Sequence, residues 1–460
     1  MLAIVGGGCR GPKAPSIPPA ASVTIEVGRA GASLVGAAAS ESTVFVALAS
    51  TGPGSSTSNS GSATSGPATS GPATSSPATS GPGFSTRIEA RRGPVITWTR
   101  ELEGRGGTLA LAADGSAVYA ALGGTGTVAG GAVRGEPGAA VVAIDAASGS
   151  VKWRVALDAG GWVSVAATAA LPDGGVLVGG TYTNGLRAGT HTVGAAGRTD
   201  GFVLAIRTSG DVAWIVRMGG VFADTIQGVA AQKSARGTRL AIAGTFQATA
   251  DLQGAQLPIF DERSPLPDAF VAELDANGTR VWSQVFGGTL QDAVAGVTID
   301  AAGKVVVAAT STGEIHVGGL DFITHGAGDG VVSWWNPDGS PHHATLVGGP
   351  DFDGLRAIVA AGRSVVVGGF YSGAVTLGER TQTAGGGDDA FLAAYDPAGR
   401  VVDTWIVGGP GREEIVSLSP IRGGFVAGVA YTAAAKLAGA SVVAPADPMS
   451  GTAVIVRGAR

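Results

Sequence analysis

The chain has 460 residues, of which 45% are hydrophobic, and it carries a formal net charge of −5 at pH 7. This composition is too apolar for a wholly disordered chain, and 30 Lys and Arg against 35 Asp and Glu leave no basic surface for nucleic acid. The single Cys excludes a disulfide framework and a zinc site built from several cysteines, and the absence of an apolar run of about 18 residues excludes a membrane-spanning helix.

The chain opens on a short apolar stretch, residues 2–8, which ends in three glycines directly before Cys9. A polar, Pro-rich stretch follows up to residue 21. This arrangement resembles the end of a bacterial lipoprotein signal peptide, although Gly6 stands where that family usually has Leu and no Lys or Arg precedes the apolar stretch. The resemblance implies a lipid on the Cys9 thiol, with residues 1–21 as a signal segment truncated at its start and a tether. The alternative is an N-terminal tail with an incidental free Cys.

Residues 51–86 contain no charged side chain, and residues 63–82 are four copies of a pentad of the form Ala-Thr-Ser-Gly/Ser-Pro. Such a segment has no apolar side chains to repay the entropy of ordering, so it is expected to be flexible or polyproline-like. It is either a repeat-expanded loop or a stalk that carries glycans.

A Val-rich strand that ends in small residues recurs seven times along the chain. Its copies begin at Val44, Val118, Val176, Leu240, Val305, Val365 and Phe425. The last four intervals are about 60 to 65 residues, and a period of this length indicates a repeat architecture.

A second unit is a hairpin of two alternating strands that ends in Gly-Gly. Clear copies begin at Asp200, Asp268, Asp329 and Asp389, and weaker copies begin at Ser85 and Ala139. The turns carry Asn-Gly, Ser-Gly, Asp-Gly or Ala-Gly, which suits positions with positive φ. Alternation of apolar with polar or small residues is typical of β-strands.

The seventh hairpin is split between the two ends of the chain. Residues 452–460 match its first strand and residues 22–31 match its second. The sequence therefore predicts an all-β protein, a seven-bladed β-propeller of four-stranded antiparallel blades, closed by N- and C-terminal strands that share one blade. Residues 22–460 are predicted to be one domain, with residues 51–86 as a flexible loop inserted within it.

The hairpin copies resemble the seven-bladed bacterial propeller repeats (SBBP-type) of surface and secreted proteins, most clearly over residues 200–409. The stretch from Ala143 to Trp153 resembles a PQQ-type propeller repeat. The first resemblance implies an extracytoplasmic propeller. The second implies either a quinoprotein-like enzyme, which needs a cofactor pocket and usually a metal, or an envelope scaffold without a cofactor.

Two repeated residue types are candidates for a site. Tryptophans recur in the hairpins, at Trp98, Trp153, Trp214, Trp282 and, two positions away, Trp405. They are interpreted as packing between blades, with a ligand platform as the alternative. Acidic residues open the hairpins at Asp200, Asp268, Asp329 and Asp389, or follow Gly-Gly at Asp224, Asp292, Asp353 and Glu413. They are expected to accept backbone hydrogen bonds in turns, with cation binding around a channel as the alternative.

No motif for catalysis or metal binding is present. His191, His316, His325, His342 and His343 form no metal-ligand pattern, and His342 and His343 are predicted to point to opposite faces of a strand. Nucleophile-elbow and phosphate-loop motifs are absent. No catalytic residue, cofactor or metal is therefore predicted.

The favoured function is a non-catalytic extracytoplasmic propeller, a monomer that is secreted or lipid-anchored through Cys9 in the cell envelope and binds a protein or glycan. The alternatives are a propeller enzyme, either quinoprotein-like or polysaccharide-cleaving, and an envelope assembly scaffold. The long insertion at residues 258–267 is predicted to contribute to the binding face.

Overall fold

The computed structural model describes residues 23–26, 32–39, 43–50, 85–92, 95–123, 127–129, 132–134, 138–260, 266–421, 424–437, 440–442 and 451–458. Cys9, the tether, most of the low-complexity segment and residues 261–265 lie outside this range. The described residues form an all-β propeller of four-stranded antiparallel blades. No described segment forms a helix of the length and apolarity that a membrane crossing requires.

The strands are numbered β1 to β40 in chain order, beginning with β1 at Val23–Glu26. Blade 1 contains β2 Ala32–Ala39, β3 Val44–Ser50, β4 Ser85–Arg92 and β5 Val95–Glu103. Blade 2 contains β6 Arg105–Leu111, β7 Ala117–Gly123, β10 Ala139–Asp145 and β11 Val151–Ala159, with the small hairpin β8 Thr127–Ala129 and β9 Ala132–Arg134 inserted.

Each later blade also carries a small hairpin between its second and third strands. Blade 3 contains β12 Val163–Ala170, β13 Val176–Tyr182, the hairpin β14 Leu186–Ala188 and β15 His191–Val193, β16 Asp200–Ile206 and β17 Val212–Gly220. Blade 4 contains β18 Thr225–Ser234, β19 Gly237–Phe246, the hairpin β20 Ala250–Leu252 and β21 Ala255–Leu257, β22 Asp268–Asp275 and β23 Arg280–Phe286.

The last two blades of continuous chain follow the same order. Blade 5 contains β24 Asp292–Ile299, β25 Val305–Ser311, the hairpin β26 Glu314–Val317 and β27 Leu320–Ile323, β28 Asp329–Trp335 and β29 Pro341–Val347. Blade 6 contains β30 Asp353–Ala361, β31 Ser364–Tyr371, the hairpin β32 Ala374–Leu377 and β33 Arg380–Thr383, β34 Asp389–Tyr395 and β35 Val401–Gly408.

A further four-stranded sheet, here called the composite sheet, has the order β1-β40-β37-β36. Its C-terminal strands are β36 Glu413–Ile421, β37 Gly424–Tyr431 and β40 Gly451–Gly458, with the hairpin β38 Ala435–Leu437 and β39 Ala440–Val442 between them. Six blades are thus built from continuous chain, one fewer than the seven that the sequence predicts. The difference arises because the seventh repeat is divided between the two ends of the chain.

The blades are buried on both faces, which explains their long apolar strands. Every residue of β16, β28 and β34 is buried, as is every residue of β13. Because each blade packs between two neighbours, the inner strands read as continuous runs of Val, Ala, Leu and Phe. The hydrophobic clusters accordingly combine residues from adjacent blades.

The antiparallel strand registers place the starts of the first and third strands beside the ends of the second and fourth strands, at one edge of each blade. In blade 4, Phe246 at the end of β19 pairs with Asp268 at the start of β22. Ala269 in turn pairs with Phe286 at the end of β23. The connections between blades and the inserted small hairpins therefore leave from one face of the propeller, here called the connection face. The tight turns between third and fourth strands lie at the opposite face.

Candidate functional site: the blade junctions and the connection face

The repeated tryptophans form contacts between neighbouring blades. Trp98 of blade 1 donates a hydrogen bond from Nε1 to the carbonyl of Ala146, 3.0 Å away in blade 2. Its ring lies so close to the turn glycine Gly149 that a Cβ there would be 2.7 Å from the indole. The prediction of packing between blades is confirmed at this position.

The same contact recurs at the next junctions. Trp153 donates to the Thr208 carbonyl at 2.9 Å, and Trp214 donates to the Ala276 carbonyl at 3.1 Å. Trp282 packs on the turn glycine of the next blade but donates to Glu273 within its own blade. Trp405 contacts Phe425 of the composite sheet, with ring centroids 5.6 Å apart. These indoles are engaged in blade packing and do not form a ligand platform.

The repeated acidic residues are brought together in pairs at the junctions between blades. All eight side chains are at most 3% exposed. The pairs are Asp200 with Asp224, Asp268 with Asp292, Asp329 with Asp353, and Asp389 with Glu413. In each pair the first acid opens the third strand of one blade, and the second acid lies at the start of the first strand of the next blade.

Backbone N–H groups donate to these carboxylates, as the sequence predicts. The first acids each accept one such bond at Oδ2, from Ala196 to Asp200 at 2.9 Å, from Phe260 to Asp268 at 2.9 Å, from His325 to Asp329 at 2.6 Å and from Gly385 to Asp389 at 3.0 Å. Three of the second acids accept from the glycines four residues before them, with Gly220 at 2.6 Å from Asp224, Gly288 at 3.1 Å from Asp292 and Gly349 at 2.6 Å from Asp353. The turns that connect the blades are closed by these bonds.

Burial raises the pKa of the second acids. The pKa rises to about 6 for Asp224 and Asp353, and to about 7 for Asp292 and Glu413. Loss of hydration is the main cause, and the charge of the first acid adds to it. Perturbed carboxyl groups can mark active sites, but these oxygens are enclosed and cannot reach a substrate on the surface.

The histidines do not assemble into a metal site within the described residues, where no group of three or more His, Cys, Asp or Glu side chains is placed to hold a metal ion. His316 is 2.7 Å from Asp321 on its own hairpin, and His325 is 3.5 Å from Asp329. In β29, His342 is exposed and the half-buried His343 packs on Gly399, so they face different surroundings, as the sequence predicts.

The connection face carries exposed apolar side chains that the sequence analysis did not single out. In the segments that join blade 3 to blade 6, the exposed fractions are 69% for Val221, 43% for Phe222, 46% for Leu290 and 45% for Phe352. All four lie between a Gly-Gly pair and the buried acid that begins the next blade, which is Asp224, Asp292 or Asp353. Their position could have been found from the repeat, but their exposure could not, because the same residue types form the core.

Two concave regions lie between blades 5 and 6. A pocket of about 260 Å³ on the inner strands is lined by Thr310, Phe352, Arg356 and Phe370. Arg356 lies 4.6 Å above the Phe370 ring and 3.5 Å from Glu414. A wider cleft of about 760 Å³ has Glu379, Arg380, Arg400 and Asp403 among its lining residues.

The predicted binding insertion is described only at its ends. Phe260 stacks on His316 of the next blade, with ring centroids 5.6 Å apart, and both Phe260 and Leu266 are exposed. Both residues precede β22, and the start of β22 lies at the connection face. The insertion therefore leaves from that face. Its contribution to binding stays a prediction.

No family model and no curated protein matches this chain. Several solved structures are similar to it at low identity. The polysaccharide lyase PL25-Ulvanlyase is 10% identical with a TM-score of 0.46, and the match covers 94% of each chain. The hydrazine synthase of Kuenenia stuttgartiensis is 11% identical with a TM-score of 0.41, over 75% of this chain and 86% of that one. The WD40 domain of Toxoplasma gondii coronin is 11% identical with a TM-score of 0.42, over 95% of this chain and 87% of that one.

Proposed function

We propose that the protein is a non-catalytic binding propeller that presents its connection face to a protein or a glycan. The observation that supports this function is that exposed apolar side chains occur in three successive blade connections, at Val221 and Phe222, at Leu290 and at Phe352. Single exposed apolar residues are ordinary, but aromatic and aliphatic side chains that recur on one face are characteristic of interaction surfaces.

The binding test compares two matched sets of substitutions. Phe222→Ser, Leu290→Ser and Phe352→Ser remove apolar surface from the connection face. Val151→Ser, Val281→Ser and Val402→Ser remove similarly exposed apolar side chains beside the tight turns of the opposite face. We expect the first set to weaken binding roughly tenfold or more, since buried apolar anchors commonly contribute over 1 kcal/mol each. The second set is expected to leave binding unchanged.

Two kinds of probe distinguish glycan binding from protein binding. A panel of purified polysaccharides tests glycan binding, and cross-linking in cell-envelope extracts followed by purification of the captured protein tests protein binding. Equal affinities in both variant sets would contradict the connection face as the binding surface.

We also propose that the propeller is extracytoplasmic and monomeric, and is held at the cell envelope by a lipid on Cys9. The support is the sequence around Cys9, which resembles a lipoprotein signal peptide. Expression from the native upstream sequence, followed by intact mass measurement and detergent-phase partition, tests this. A lipid mass that disappears in Cys9→Ala is expected, and an unmodified chain in the aqueous phase would contradict the anchor.

We further propose that the composite sheet is a seventh blade that closes the ring. Three observations support closure: β1 pairs with β40 from Val23 opposite Val456 to Glu26 opposite Ala453, β36 contacts β2 of blade 1, and Ser419 Oγ donates to the Ala37 carbonyl at 2.6 Å. The first strands of the six blades and β36 also share a register shift at the same place.

A further inference from the structure

The paired acids at the blade junctions share one geometry, which is independent of the proposed binding face. The backbone N–H of each second acid donates to the carbonyl of the residue before the first acid. The four bonds run from Asp224 to Thr199 at 3.0 Å, Asp292 to Pro267 at 3.3 Å, Asp353 to Gly328 at 2.9 Å and Glu413 to Asp388 at 2.7 Å. This bond fixes the backbones of two blades together and carries the two carboxyl groups into the same buried space.

Carboxylate oxygens remain without a hydrogen-bond donor in this space. Within the described residues, Asp200 Oδ1, Asp329 Oδ1 and Asp389 Oδ1 have no partner, and neither has either oxygen of Glu413. Asp389 lies within hydrogen-bonding reach of Glu413, yet both groups are acceptors when ionised. An unsatisfied buried polar group is costly, so a donor is missing in the Asp200–Asp224, Asp329–Asp353 and Asp389–Glu413 pairs, whereas the oxygens of Asp292 accept from Ser311 and Gly288.

Little space is left for a cation between the carboxylates. A Cβ on Gly348 would lie 1.8 Å from Asp329 Oδ1, and one on Gly219 would lie 2.0 Å from Asp200 Oδ1. The glycine backbone therefore lies directly against the free oxygens. At Gly287 the same position is 2.3 Å from Asp292 Oδ2 and 2.9 Å from Asp268 Oδ1, so the two acids of that pair converge. Two carboxyl groups offer four oxygens, fewer than the six or more that a calcium ion binds, and among the described residues no group of three or more His, Cys, Asp or Glu side chains is placed to hold a metal ion.

Other ionisable groups around the pairs do not supply the missing donor. Arg217 and Tyr182 are near the Asp200–Asp224 pair, but the Tyr182 hydroxyl donates to the Gly194 carbonyl at 2.7 Å. His325 is 3.5 Å from Asp329, and Asp351 adds negative charge near Asp353.

The Asp389–Glu413 pair, between blade 6 and the composite sheet, also lacks a charged donor among the described residues. The Tyr371 hydroxyl lies 3.4 Å from Asp389 Oδ2, which is a long contact. Arg412 pairs with the neighbouring Asp388 at 2.7 Å. In the described part of the chain, neither Asp389 nor Glu413 lies within ion-pair distance of a Lys or Arg.

We propose that the Asp200–Asp224, Asp329–Asp353 and Asp389–Glu413 pairs each hold one shared proton as a carboxylic acid bonded to a carboxylate, and that these protons make the contact between blades a pH-sensitive joint. The second acid carries the proton and donates it to Oδ1 of the first acid, which keeps its backbone N–H bond at Oδ2. Loss of the proton leaves two charges in one buried space, which weakens the junction.

The direction of the pH effect follows from the raised pKa of the second acids. The folded pKa values of about 6 for Asp224 and Asp353 and about 7 for Glu413 lie above the ordinary carboxyl range. A raised pKa means that the folded state binds a proton more tightly than the unfolded state. The stabilisation is therefore complete below about pH 4 and is lost as the pH rises through about 6 to 7.

The experiment compares thermal unfolding of the full chain from pH 5 to pH 9. For the wild type we expect the midpoint to fall by several degrees across this range. Asp200→Asn and Asp389→Asn replace the acid by an amide that donates at every pH, so both variants are expected to show a shallower pH dependence and a higher midpoint than wild type at pH 9. Glu379→Gln is the control, since it removes the same charge from an exposed side chain.

Asp200→Asn is the decisive variant because no histidine contributes to the raised pKa of its partner Asp224. A histidine therefore cannot account for the pH dependence of this pair. Unaltered pH dependence in this variant would overturn the proposal. A wild-type midpoint at pH 9 that rises with CaCl₂ and falls with EDTA would also overturn it in favour of a cation. If the variants fail to fold, infrared spectroscopy of the wild type decides: the carbonyl band of a buried protonated carboxyl must be present at pH 6 and disappear by pH 9.

Discussion

At each of the four junctions from blade 3 to the composite sheet a glycine lies against a buried carboxylate. Gly219, Gly287, Gly348 and Gly408 are the first members of the Gly-Gly pairs that end the hairpins, and a Cβ on any of them would come within 2.3 Å of an Asp oxygen. Movement of the carboxylate is restrained, because a backbone N–H donates to one oxygen of each of these acids. The Gly-Gly pair is therefore explained by close approach of a side chain, with positive φ required only at Gly287, where φ is 147°.

Gly348→Ala tests this close approach. The new methyl group would lie 1.8 Å from Asp329 Oδ1, so the strand or the acid must move. We expect a loss of about 1–3 kcal/mol in the free energy of unfolding, typical of overpacking, measured by chemical denaturation. Gly194→Ala is the control, since its Cβ would meet no atom within 4 Å. Similar losses for both variants would show that the contact with Asp329 is unimportant.

At the scale of the strands, the fourth strand of one blade is attached to the turn of the next by an indole. The indole ring packs on the turn glycine, and the indole N–H donates to a carbonyl of the same turn. Trp153 over Gly210 and Trp214 over Gly278 are examples. Blade 5 has His343 at this place, against Gly399 of blade 6. Burial lowers the pKa of His343, which is therefore mainly neutral at pH 7 and packs as a ring.

The tryptophan contact predicts a graded loss of stability at Trp214. Trp214→Phe keeps an aromatic ring over Gly278 but removes the 3.1 Å bond to the Ala276 carbonyl, at an expected cost of about 1 kcal/mol in unfolding free energy. Trp214→Ala also removes the ring, and because the side chain is only half-buried we expect about 3 kcal/mol, the lower end for such truncations. Denaturant unfolding of the two variants tests the order. Equal losses would mean that the ring itself contributes nothing.

For the whole molecule, the sequence pattern predicted the fold because the repeats carry both strand periodicity and turn chemistry. It predicted the role of Trp98 and the backbone bonds of Asp200 for the same reason. The pairing of Asp200 with Asp224 could not be predicted, since the two acids belong to different blades and meet only when blades stack. The exposure of Phe222 could not be predicted from the sequence either, because Phe202 and Phe270 in similar repeats are buried.

Closure of the ring predicts that the chain can be circularly permuted. The end of β40 lies beside the start of β1, with Val456 opposite Val23, in the arrangement that a tight turn makes in the other blades. Arg460 can therefore be joined to Ser22 by a short Gly-containing linker, with new ends placed in the low-complexity segment between β3 and β4. Loops with small polar residues are the usual places for such ends.

The permutant is expected to unfold in one cooperative thermal transition, with a midpoint at or above that of the parent chain lacking residues 1–21. The linker shortens the loop that must close, and the strand pairing is unchanged. A second permutant with the same linker but new ends inside β31, between Gly368 and Gly369, should fail to fold, because it cuts a fully paired inner strand. Loss of the cooperative transition in the first permutant, or its association into dimers, would contradict closure by β1 and β40.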